Sequence, residues 1–165
     1  MRGMLGIGGF VLLAALIAGS ASPNDRLAEL RSRFAQETNP VKKAKLMPRL
    51  GEAEFREIQS HTKEGRLADA LAGLEQYRAE AQECAKGLDS TGIDAEKHSA
   101  GFKQLQISLR ESLRRLDHLI VGLTGEEQAS FRAVREDLDQ IDRDLLHKLF
   151  PRQPPAGTPS KKGKE

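Results

Sequence analysis

Phe131, Val134, Leu138, Ile141, Leu145 and Leu149 recur at spacings of 3, 4, 3, 4 and 4 residues. A helix of 3.6 residues per turn puts all six on one side. The same period runs through Leu105, Leu109, Leu113, Leu116 and Ile120. Two neighbouring segments with apolar stripes must bury them, which commits this part of the chain to helix-on-helix packing. No sustained period-two alternation of β-branched and aromatic residues occurs elsewhere. Trp is absent, and Ala, Leu, Glu, Arg, Lys and Gln dominate, a helix-forming mixture. The expected fold is all-α: two antiparallel helical hairpins packed as an irregular helical bundle, preceded by a short N-terminal helix.

Turn residues divide the chain. A first helix is expected from about Pro23 to Glu37, capped by Ser22, with Leu27, Leu30 and Phe34 inward. Asn39-Pro40 breaks it. A second is expected from Pro40 to Lys63, with Leu46, Leu50, Phe55 and Ile58 inward and a kink or break at Pro48. A third, Arg66 to Leu88, follows the turn at Gly65 so closely that the two form a hairpin. Asp89 to Gly101 is polar, carries two glycines and reads as the main loop. The fourth helix spans Phe102 to Leu123. The fifth runs from Thr124 to Leu149, and Thr124 with Glu127 makes a capping box.

The ends of the chain have a different composition. Arg2, an uncharged and mostly apolar stretch from Met4 to Ala18, and then Gly19-Ser20-Ala21 form the pattern of a secretory signal peptide. Residues 1–21 are therefore expected to be a signal peptide, 22–149 a helical domain, and 150–165 a disordered basic Pro/Gly/Lys tail. The implied location is periplasmic or secreted, with an N-terminal membrane anchor as the alternative if the segment is not cleaved. After cleavage no membrane span is expected. Cys84 is the only cysteine. It falls in register with Leu74, Tyr77 and Leu88, so it is expected to pack as a small hydrophobe; an intermolecular disulfide is the other role open to a lone cysteine in an exported chain.

Removal of residues 1–21 takes away one Arg and no acid, leaving 25 basic and 24 acidic residues. That balance argues against nucleic acid, which selects a strongly basic domain. The charge is patterned instead. On a helical projection Lys103, Arg110, Arg114 and His118 gather on one side, away from the Leu105–Ile120 stripe. They form a possible interaction face. The following helix carries a net charge of −3 from Thr124 to Leu149, against +2 from Lys103 to Leu123. The simplest reading of the cations is that they face this acidic neighbour, at about 0.2–0.5 kcal/mol per local pair.

Signs of chemistry are few. His61, His98, His118 and His147 lie far apart, with no close ligand spacing. The run Asp137 to Asp144 lacks the Gly of a calcium loop and keeps helical spacing through Leu138 and Ile141, so it reads as a solvated helix face. No nucleophile elbow, phosphate-binding glycine loop or His-Glu-x-x-His motif occurs. No carboxylate stands isolated in an apolar run that would raise its pKa. No catalytic residue, metal or cofactor is expected. The function expected is non-catalytic contact with an envelope protein whose identity the sequence leaves open.

Two short stretches resemble known families. "EGRLADALAGLEQY" is similar to the inter-helix turn of a tetratricopeptide unit, with Gly65 and Ala70 in its small-residue positions, although Ile58 stands where that family has its earlier Gly. The resemblance implies a helix-turn-helix over about one repeat. "LTGEEQ", Leu123 to Gln128, is similar to the Leu-Thr-x-x-Gln signature of Spy-type periplasmic chaperones, with Gln128 one residue further on. That resemblance implies a small, exported, all-helical protein that holds unfolded clients.

Overall fold

The structure is a computed structural model that describes residues 23–151. The expected signal segment 1–21, the expected cap Ser22 and the tail from residue 152 lie outside the described residues. Five helices form a helical bundle: α1 (Pro23–Gln36), α2 (Pro40–Lys63), α3 (Leu67–Ser90), α4 (Ala100–Val121) and α5 (Gly125–Leu149). The described residues contain no strand.

Local chemistry sets the helix ends. Asn39 both follows α1 and starts α2, because its side-chain oxygen accepts the Lys42 N–H at 3.0 Å and Pro40 occupies the first turn. Of the kink or break expected at Pro48, a break does not occur: α2 runs through it. Pro48 lacks an N–H for the Ala44 carbonyl, but Ala44, Met47, Leu50 and Gly51 around it are all buried. Packing on both sides of the proline holds the turn that its chemistry weakens. Gly65 closes α2 at φ +73, where the Arg66 N–H donates to the His61 carbonyl at 2.8 Å.

The capping box at α5 does not form. The Thr124 hydroxyl is 3.2 Å from the Glu127 carboxylate and meets no backbone N–H. The interhelical loop is shorter than its composition suggests. Helix α3 continues to Ser90 and α4 begins at Ala100.

Helix α2 packs against α3 and α4, α5 packs against α4 and α3, and α1 lies along α2. The apolar stripes supply the core. Leu50, Phe55, Leu74, Leu88, Leu105, Leu109, Leu116 and Leu138 are buried, each worth about 1.5–3 kcal/mol over exposure. Tyr77 sits where α2, α3 and α4 meet. Its ring meets Phe55 edge-on at 5.3 Å. Ser112 donates to its hydroxyl at 2.8 Å, and Ser108 lies 3.2 Å away.

Gly51 makes this meeting possible, because a Cβ there would stand 2.9 Å from Tyr77 Cε2. The ring is tied by Ser112 and Ser108 at its hydroxyl and packed edge-on against Phe55. Gly51→Ala is therefore expected to destabilise by about 1–3 kcal/mol despite its better helix propensity. Urea unfolding checks this; a stabilised variant would contradict it.

Candidate functional site

All four residues expected to form an interaction face are on α4 and exposed. Among the described residues, none of the side chains of Lys103, Arg110, Arg114 and His118 makes a hydrogen bond or ion pair. Ile107, 37% exposed, and Val121, 83% exposed, lie on the same side of the helix. Together they make an outward stripe about 27 Å long, one helix wide.

The acidic neighbour is not used as the charge pattern suggests. The ion pair joining α4 to α5 runs the other way: Arg135 of the acidic helix binds Asp117 of the basic one at 2.6 Å. Arg110 and Arg114 instead border an open groove of about 490 Å³ with Asp139 and Asp142. Asp139 is engaged by Arg143. Asp142 corrects the reading of the Asp137–Asp144 run as wholly solvated. It is buried and accepts a hydrogen bond from Gln106 Nε2 at 3.0 Å. Burial raises its pKa, opposed by that hydrogen bond and by the Arg110 charge.

A second cluster was missed. Glu54 on α2 and Glu80 on α3 are both buried, at 1% and 5% exposure. Arg31 reaches from α1 to Glu54 Oε1, with Nε at 2.9 Å. Gln76 Nε2 donates to Glu80 Oε1 at 2.8 Å. The remaining oxygen of each glutamate, Oε2, is buried and has no partner among the described residues. Two buried carboxylates in one cluster repel when both are charged, so the pair favours holding one proton. Burial, and then the Glu80 charge, push Glu54 up to about 8. Burial raises Glu80 as well. Glu54 is thus the acid that donates and Glu80 the carboxylate that accepts.

A sequence signal for this cluster existed. Glu54 is four residues from both Leu50 and Ile58, and Glu80 is three from Tyr77 and four from Cys84. Both occupy apolar-stripe positions. Asp142, four after Leu138 and three before Leu145, does the same.

The cluster borders a groove of about 500 Å³, whose accessible side groups include Arg31, Glu57, His61 and Gln76. His61 Nδ1 is buried without a partner, and its Nε2 is 3.7 Å from Glu57. His98, His118 and His147 are exposed. Among the described residues no group of three or more His, Cys, Asp or Glu side chains is placed to hold a metal ion. No helix among them is long and apolar enough to cross a membrane.

Cys84 is buried at 1% exposure, and burial pushes its thiol up to about 12. It packs as a small hydrophobe. A thiol reagent is expected to leave it unlabelled in the native chain and to label it in denaturant. Rapid native labelling, followed spectroscopically, would contradict that placement.

Gly65 and Ala70, the small residues of the tetratricopeptide-like stretch, serve the α2–α3 turn and a fully buried helix contact. In "LTGEEQ", Leu123 is buried and Gln128 Nε2 donates to its carbonyl at 2.6 Å. Compared with protein-family models, curated proteins and solved structures, the chain matches none.

Proposed function

We propose that this chain is an exported, non-catalytic helical protein of the cell envelope that works by protein–protein contact. The observation that carries this reading is the outward stripe of α4, where Lys103, Arg110, Arg114 and His118 are exposed and, among the described residues, their side chains enter no hydrogen bond or ion pair. Fixed cations on a rigid helix, interleaved with exposed Ile107 and Val121, suit an anionic protein surface. The signal-like composition of residues 1–21 supports export to the periplasm or beyond. The near balance of charge speaks against nucleic acid. In this reading the bundle is two antiparallel hairpins, α2–α3 and α4–α5, preceded by the short α1.

The buried Glu54–Glu80 pair is the one arrangement that resembles acid–base machinery, since two carboxyls sharing a site is a catalytic device elsewhere. Here the Oε2 atom of each glutamate is buried. Glu54 lines the neighbouring groove, but its Oε2 and that of Glu80 are turned away from solvent, which favours a structural role for the pair.

In-cell crosslinking of the tagged chain, followed by mass spectrometry, tests the proposal. One or two stoichiometric envelope proteins are expected. A broad set of clients would replace the adaptor with a Spy-like holding chaperone. Turnover of a small molecule or polymer, abolished by a single substitution, would overturn the non-catalytic reading.

A further inference from the structure

Helix α5 also carries an outward stripe. Glu126, Ala129, Ala133, Glu136, Gln140 and Asp144 are all exposed and follow one another at spacings of 3, 4, 3, 4 and 4 residues. Among the described residues, Glu126 and Glu136 enter no ion pair, and Asp144 has only the Gln140 amide, at 2.8 Å. The alanines between them leave room for another helix to come close. Thus α4 shows a cationic seam with aliphatic projections, and its immediate neighbour α5 shows an acidic seam with small gaps. A surface built from two such seams side by side is complementary to itself after a half-turn.

We propose that the α4 stripe is occupied by α5 of a second copy of this chain, in a twofold dimer with its axis parallel to the two helices. This rests on the interaction face assigned above and names its occupant. The levels of the two helices are set within one chain. Gln106 lies beside Asp142, and Asp117 beside Arg135, so α4 and α5 run in opposite directions. An axis parallel to them keeps every residue at its level. Lys103 then meets Asp144 of the other copy, Arg110 and Arg114 lie astride its Glu136, and Val121 faces its Ala129. Opposite charges and a projection-to-gap fit arise together, with no adjustment of register.

Size is sufficient. Two seams about 27 Å long and about 10 Å wide, counted on both copies, bury on the order of 1,100 Å². That clears the threshold of about 1,000 Å² for a specific interface. A broad anionic surface such as a membrane fits worse. The cationic stripe is narrow, is flanked on α4 by Glu111 and Asp117, and lies beside a helical segment of net charge −3. A flat partner would meet these carboxylates too.

Sedimentation of the chain as its cells make it, with two variants, tests the dimer. Wild type is expected to be dimeric at low salt, with a dissociation constant rising about tenfold or more toward 0.5 M salt. Lys103→Glu/Arg110→Glu/Arg114→Glu is expected to be monomeric, and so is Glu136→Lys/Asp144→Lys. Mixed in equal amounts they restore both seams, and a heterodimer is expected. The restored dimer also shows that each variant is folded. A monomeric wild type, variants that remain dimeric, or a mixture that stays monomeric while both variants keep the wild-type helical signal would overturn the proposal. The adaptor reading fails differently. A monomer that still crosslinks a stoichiometric envelope protein sinks only the dimer, and a dimer that captures no other protein sinks only the adaptor.

Discussion

Replacing Glu54 with Gln raises the stability of the chain near pH 8 by about 2–4 kcal/mol and leaves it almost unchanged near pH 4. The effect follows from the proton held between Glu54 and Glu80. The folded chain keeps Glu54 protonated up to about 8, whereas the ordinary carboxyl releases its proton near 4.5. The folded state therefore binds the proton more tightly than the unfolded state. The stability this confers is complete below the ordinary carboxylate range and is lost as the pH rises from about 4.5 toward 8. Glu80 is shifted in the same direction by its own burial. Gln offers an N–H where the acid offers an O–H, and its oxygen still accepts from Arg31. It keeps the geometry and removes the titration. Urea unfolding at several pH values between 4 and 8 reads the difference. A constant offset between variant and wild type would mean that no proton is shared.

The α4–α5 contact gives the largest loss expected from a single truncation. Leu116 and Leu138 are fully buried, one on each helix. Leu116→Ala and Leu138→Ala are each expected to cost about 2–5 kcal/mol, the loss of buried surface plus the cavity left behind. Ile107→Ala, on the outward face of α4, is expected to change stability by no more than about 0.5 kcal/mol within one chain. Equal melting of Leu116→Ala, Leu138→Ala and wild type would mean that these stripes are not the core. A large loss from Ile107→Ala in monomeric protein would put that residue inside the fold instead.

The sequence reveals what repeats along one helix and hides what joins two. The Phe131–Leu149 and Leu105–Ile120 stripes announce α4 and α5 because each residue's environment is shared with neighbours three and four positions away. The exposed cations of α4 were legible for the same reason. Glu54, Glu80 and Arg31 were not, since Arg31 is 23 positions from its partner and belongs to another helix. Only the placement of both glutamates among apolar positions hinted at burial. Pro48 shows the opposite failure. A strong local signal for a kink or break does not end the helix there, because packing around Met47, Leu50 and Gly51 holds it. The ion pair of Arg135 with Asp117 likewise depends on which side chains reach across the groove, and net helix charge does not specify that.

Contact with another molecule through the outward face of α4, as proposed, can be read in living cells. A photoreactive residue at position 107, in place of Ile107, reads that face directly in the cells that make the protein. It is compared in the otherwise native chain and in one that also carries Lys103→Gln, Arg110→Gln and Arg114→Gln. A discrete crosslinked product is expected for the first, and its loss in the second with the helical signal unchanged. The same product at the same yield in both would contradict it.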